Sequence, residues 1–205
     1  MRALPVGDHA LLVEVSTDAE AQALHADLLR RRAEGSLSVR EIVPAARTVL
    51  LDGLDEPARL AAYLSDARLP PAPPASKEAV EIPVRYDGPD LADVARRWGV
   101  SPDEAARIHA GAGFRVAFCG FAPGFGYLTG LPARCAVPRH ATPRTNVPAG
   151  SVGLAGPYTG VYPRSSPGGW RLIGTTDAVL WDPARVPAAL LSPGTPVRFV
   201  PVDSR

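Results

Sequence analysis

The run VPAGSVGLAGPYTGVYPRSSPGGWRLIG, residues 147–174, decides the fold. Short β-type segments, Ser151 to Ala155, Gly160 to Tyr162 and Trp170 to Ile173, alternate here with glycines and prolines. Upstream, Phe114 to Cys119 reads as a strand; downstream, Val179 to Trp181 and Val197 to Val200 repeat the pattern. Many short strands with such punctuation predict a β-barrel. The barrel domain is expected over residues 79–205, opening with a strand from Val80 to Tyr86. Two helices interrupt it. Asp90 begins the first, which runs through Trp98 and stops at Gly99. Ser101 and Glu104 form a capping box for the second, with Pro102 at its first position, and it ends near His109.

Outward from the barrel, LPPAPPAS at 69–76 carries four prolines, which neither extend a helix nor fill a central strand. A stiff linker is expected over 69–78. Before it, residues 1–68 read as a small α/β domain. Its expected elements are a strand at 10–15, a helix capped by Thr17 and Glu20, strands at 38–43 and 47–51, and a helix capped by Asp55. Leu60, Tyr63 and Leu64 are expected to face inward on that last helix. The order β-α-β-β-α predicts an open sandwich with both helices on one face.

Composition narrows the function. The 22 basic and 21 acidic residues nearly cancel, which argues against a nucleic-acid or membrane-surface partner. No apolar run approaches the ~20 residues of a membrane helix. The N-terminus lacks the apolar core of a secretory signal, so a cytoplasmic location is expected. Cys119 and Cys135 stand alone, without the spacing of a zinc site or a disulfide framework, and no metal is expected in this chain.

The chemistry concentrates in the loops. CGFAPGFGYL at 119–128, PRHATPRTNVPAGSV at 138–152 and SPGGW at 166–170 join rigid prolines to glycines that let backbone approach a ligand. Arg139, Arg144, Arg164 and Arg171 sit on or beside these turns, suited to a carboxylate or phosphate. Phe121, Phe125, Tyr127 and Trp170 suit core or pocket wall. His109, at a helix C-terminus that favours its protonated form, is the candidate general acid or base. There is no P-loop, so ATP binding by this chain alone is not expected.

The ordered motifs GFAPGFGYL (120–128), PRHATPRT (138–145), VPAGSVGLAG (147–156), TGVYP (159–163) and SPGGWRLIG (166–174) resemble the family of 5-oxoprolinase B-type subunits, also described as allophanate hydrolase subunit 1 and as sporulation-kinase inhibitors. The resemblance implies a ferredoxin-like open sandwich followed by a cyclophilin-like β-barrel. It implies two partners, a C-type subunit of related barrel fold and an A-type subunit. Together these are expected to hydrolyse 5-oxoproline to glutamate, with ATP bound by the assembled complex and any metal in the partner only. The chain alone is expected to be inactive. His109 and Arg144 are the expected catalytic residues; Phe121, Tyr127, Arg139, Thr159, Tyr162 and Arg171 are expected around a small lactam or amide. The resemblance also admits inhibition of a sensor histidine kinase, or a part in a urea- or allophanate-processing carboxyltransferase assembly. Tyr158, Gly126 and Thr175-Thr176-Asp177 depart from the family's usual glutamine, proline and Arg-Thr-Pro, which leaves room for a different amide substrate.

Overall fold

The computed structural model describes residues 1–67 and 78–203. The chain divides into two compact units, Met1–Ser76 and Lys77–Arg205. Apart from Glu78, the expected linker lies outside the described residues.

The first unit contains β1 (Arg2–Pro5), β2 (Ala10–Glu14), α1 (Asp18–Ala33), β3 (Glu41–Pro44), β4 (Thr48–Asp52) and α2 (Pro57–Asp66). Thr17 caps α1 by accepting from the Glu20 N–H, while the Glu20 carboxylate accepts from the Ser16 N–H at 2.8 Å. The sheet order is β1-β2-β4-β3 with every neighbour antiparallel. β2 and β3 therefore run parallel with β4 between them, and α1 makes the crossover that parallel strands require. Leu24 and Leu28 of α1 and Leu64 of α2 share one core with Leu11, Val13, Val49 and Leu51. Three expectations need correction. β1 was not anticipated, and it adds an edge strand. Asp55 does not cap α2; Glu56 occupies that position without a side-chain bond, and Pro57 starts the helix. Tyr63 is 45% exposed, its hydroxyl meeting Arg31, because Leu64 and Leu60 take the side of α2 that faces the core.

The second unit contains β5 (Val80–Val84), α3 (Leu91–Trp98), α4 (Pro102–Gly111), β6 (Phe114–Cys119), β7 (Gly126–Thr129), β8 (Arg144–Val147), β9 (Ser151–Ala155), β10 (Tyr158–Val161), β11 (Ser166–Gly168), β12 (Arg171–Thr175) and β13 (Pro196–Pro201). Seven strands form one sheet in the order β12-β9-β10-β7-β6-β13-β5. Its two ends meet: Arg85, just past β5, and Thr175 of β12 exchange backbone hydrogen bonds of 2.9 and 2.8 Å. The sheet is thus barrel-like and nearly closed, which removes exposed edges. Closure brings backbone against backbone. A Cβ on Gly88 would lie 2.3 Å from the Ile173 carbonyl carbon, and one on Gly174 2.4 Å from the Arg85 oxygen. Val179–Trp181, expected as a strand, makes only an isolated bridge from Trp181 to Ala189.

Side chains fill the barrel. Ile82, Val84, Val116, Leu128, Val152, Leu154, Val161, Ile173 and Phe199 form its interior core. Each fully buried aliphatic or aromatic group of this kind contributes roughly 1.5–3 kcal/mol. The interior is therefore packed, and β8 and β11 form a separate two-stranded sheet.

Candidate functional site

Alternation along β10 sorts the candidate residues, because successive side chains of a strand point to opposite faces. Val161 joins the interior core, and Thr159 is fully buried on the same side. Tyr158 and Gly160 face outward. A Cβ on Gly160 would lie 2.9 Å from the Phe125 ring and 3.0 Å from the Trp170 ring, so only glycine admits the aromatic layer outside.

That layer comprises Phe125, Tyr162 and Trp170, with Tyr127 and Tyr158 packed against it. Phe125 and Trp170 meet edge to face at 5.3 Å between centroids, Phe125 and Tyr162 at 5.4 Å. Tyr127 stacks on Phe118 at 4.3 Å and lies 5.5 Å from Trp170. Such contacts add to the burial energy and hold each ring in one orientation. Phe121 reaches over the layer, 5.2 Å from Phe125, yet is 58% exposed. Its φ of 68° is in the left-handed region, a costly conformation for a bulky residue. The Arg139 guanidinium lies 6.0 Å from the centre of the Trp170 ring. Burial pushes the Tyr162 phenol up; the Trp170 N–H and the charges of Arg139 and Arg144 oppose that rise. Phe121, Tyr127, Arg139 and Tyr162 thus cluster at one patch of the outer wall, where Phe121 and Arg139 are exposed, Tyr127 is half-buried, and Tyr162 and Trp170 are buried.

Two expected anion-binding arginines meet the chain's own carboxylates instead. Arg144, at the start of β8, donates from one nitrogen to both Asp90 oxygens at 2.7 and 2.8 Å, and from another to the Trp170 carbonyl at 3.3 Å. Arg171, at the start of β12, pairs with Asp93 and donates to the Pro138 carbonyl at 2.9 Å. Asp90 and Asp93 stand three positions apart at the start of α3, hence on one side of it. Burial alone would raise the Asp90 carboxyl. Hydrogen bonds from Arg144 and the Leu172 N–H outweigh it, with the His140 ring 3.2 Å away, and hold the group below the usual carboxylate range. Asp93 is held low by Arg97 first, and also by Arg171 and Arg96. Sequence reading assigned Asp90 only to the helix start and did not single out Asp93. The readable signal was an i, i+3 acidic pair opening a helix in a chain with four arginines on loops.

His109 and Thr159 stand apart from this surface. The His109 imidazole is fully buried, 5.0 Å from the Phe114 ring and 4.7 Å from the Phe199 ring. Its Nδ1 lies 2.8 Å from the Tyr86 hydroxyl and its Nε2 3.3 Å from the Thr159 hydroxyl. Burial drives it down to about 3, opposite to the rise expected from the helix terminus, because desolvating a cation outweighs a terminal partial charge. The imidazole is neutral and shielded by aromatic rings. Thr159 faces it, not the loops.

A cavity of about 450 Å³ lies beside the 119–124 turn, lined by Cys119 to Gly124, Trp181, Ala189 and Leu191. This lining is mainly apolar and contains no arginine. It does not fit a triphosphate, and Arg144 and Arg171 are already neutralised. Among the described residues no helix is long and apolar enough to cross a membrane.

Comparison with known proteins agrees with the loop pattern. The model of the carboxyltransferase domain, subdomain C and D, matches residues 1–191. A protein from Escherichia coli O157:H7 described as the B-type subunit of 5-oxoprolinase is 54% identical over 125 residues, covering 60% of this chain and 57% of the relative. The chain thus matches little more than half the length of that relative. The crystal structure of TTHA0988 superposes with a TM-score of 0.75 at 37% identity, covering 96% of this chain and 41% of that one. The structure of the conserved uncharacterized protein PH0987 from Pyrococcus horikoshii superposes with a TM-score of 0.60 at 36% identity, covering 98% of both chains. With nearly the whole sequence matched, the chain belongs to the carboxyltransferase domain, subdomain C and D, family.

Proposed function

We propose that this chain is the B-type subunit of an ATP-dependent 5-oxoprolinase, acting in the cytoplasm with an A-type partner and a C-type partner of related barrel fold. The observation that carries the reading is the exposed Arg139 guanidinium, which lies 6.0 Å from the centre of the buried Trp170 ring and near the buried Tyr162 phenol, on a proline-rich loop. A planar lactam could lie against the exposed Phe121 ring and the half-buried Tyr127, and the Arg139 guanidinium can pair with its carboxylate. The relative named as a 5-oxoprolinase component supports the choice of substrate. Hydrolysis of so stable an amide uses ATP, which the assembled complex would hold, with any metal in the A-type partner, since the lining described here does not suit a triphosphate.

In this reading Arg139 binds the substrate carboxylate, Tyr127 walls the ring, and Phe121 covers it from the strained turn. Arg144 contributes from its position beside the Trp170 carbonyl. His109 and Thr159 act from inside the barrel by fixing β10, and we assign no proton transfer to His109. We further read the first unit as a ferredoxin-like sandwich whose fourth strand is β1, and the second as a cyclophilin-like barrel; the order β1-β2-β4-β3 and the nearly closed seven-stranded sheet support this.

The test is reconstitution. The chain mixed with its A- and C-type subunits should release glutamate from 5-oxoproline and ATP, and the chain alone should not. A folded, assembled set that turns over no 5-oxoproline would reject the proposal.

A further inference from the structure

Asp90 bonds to two segments that are far from it in sequence, residues 140–144 and Leu172. Its backbone N–H donates to the Leu172 carbonyl at 2.9 Å, and its carboxylate accepts from the Leu172 N–H at 2.7 Å. The same carboxylate holds Arg144 through both oxygens. The His140 Nε2 lies 3.2 Å from it. The His140 N–H is tied to the Gly169 carbonyl at 2.8 Å, next to Trp170. One buried aspartate thereby joins the start of α3 to β12, to the 138–143 loop and to the first residue of β8. Asp93 secures the other end of that loop, since its partner Arg171 also donates to the Pro138 carbonyl. Arg139 is the residue immediately after Pro138.

We propose that Asp90 is a positioning residue: it meets no substrate, but fixes Arg144 and the 138–143 loop that leads into β8, so that Arg139 stands ready beside Trp170. The inference rests on reading that surface as the substrate site. The physical need is clear. A loop free to sample many states would lose its entropy on binding, whereas a loop fixed beforehand has little left to lose. Asp90 has the means to fix it, because hydrogen bonds to a charged group are roughly twice as strong as neutral ones. The carboxylate also joins segments 54 and 82 positions away along the chain.

Asp90→Asn tests this, since it keeps the volume and leaves an oxygen for the Leu172 N–H while removing the charge. In the full chain, amide hydrogen exchange across 139–147 should become roughly ten- to a hundredfold faster, the equilibrium weight of a charge-assisted bond. Exchange in β2, in the other unit, should not change. In the complex with A- and C-type subunits, KM for 5-oxoproline should rise about tenfold while kcat changes less than about twofold, the pattern of lost uniform binding. Asp90→Glu, which keeps the charge, should recover part of that KM. A fall in kcat with KM unmoved would mean only fewer folded molecules and would overturn the proposal. Should wild-type complex turn over no 5-oxoproline, the functional reading fails separately, and exchange decides alone: unchanged rates across 139–147 reject the positioning role. If Asp90→Asn does not fold, Arg144→Gln breaks the same bond from the other side and is judged by the same exchange criterion.

Discussion

Acidification should unfold the barrel unit through His109. In the folded state this imidazole titrates at about 3, against an ordinary value of 6.5. Between those values the unfolded chain binds a proton that the folded chain refuses, so stability is complete above pH 6.5 and falls as the pH drops toward 3. Each pH unit corresponds to about 1.4 kcal/mol, giving about 3 kcal/mol lost by pH 4.5 and about 5 kcal/mol at the limit. Asp90 does not interfere in this window. Its folded value is lowered from 3.8, so its contribution is intact above 3.8 and disappears only as the pH falls through the folded value. The assay is urea unfolding followed by tryptophan fluorescence at pH 7 and pH 4.5. All three tryptophans, Trp98, Trp170 and Trp181, belong to the second unit, so the signal reports the barrel alone. His109→Gln should be less stable than wild type at pH 7, since Gln fills the site imperfectly. By pH 4.5 that deficit should shrink by about 3 kcal/mol or reverse. A difference between the two proteins that stays constant across the range would refute the argument that the imidazole is held neutral by burial.

Three further outcomes are expected. Gly88→Ala drives a Cβ to 2.3–2.4 Å from backbone atoms of Leu172, Ile173 and Gly174; it should cost about 3 kcal/mol or more and lower the melting temperature of the barrel unit by about 10 °C, read by calorimetry. Arg171→Gln leaves the Pro138 carbonyl short of a donor, while Asp93 keeps Arg96 and Arg97; a loss of about 1–2 kcal/mol in urea unfolding is expected from the unpaired carbonyl, whereas a change under about 0.5 kcal/mol would show that bond to be idle. Phe121→Gly removes an aromatic ring but relieves a left-handed φ of 68°, so stability should stay within about 1 kcal/mol of wild type, while Phe125→Ala, beneath it, should lose about 3–5 kcal/mol.

Local signals in the chain anticipated local structure. Ser101 accepts from the Glu104 N–H at the start of α4, and Gly99 takes the left-handed turn after α3 at φ 72°. Those features depend on neighbours within four positions, and short-range sterics and capping decide them. The same holds for the β-segments at 114–119, 151–155 and 171–175, whose alternation and flanking glycines are written in order along the chain. The strand Arg2–Pro5 escaped because four residues ending in proline carry no clear period; its identity comes from pairing with β2.

The glycine- and proline-rich loops were legible as loops, and Arg139, Tyr127, Tyr162 and Phe121 lie near one another, with Tyr162 buried. What each arginine meets was not legible. Arg144 finds Asp90 across 54 positions and Arg171 finds Asp93 across 78. His109 was placed at a helix terminus correctly, but its environment comes from β6, β10 and β13, which only closure of the sheet brings around it. Residue types and spacing along the chain therefore determined most of the elements and the turns. Which face each side chain occupies, and which charges are already satisfied, was decided only by the tertiary fold, because burial and ion pairing depend on distances through space.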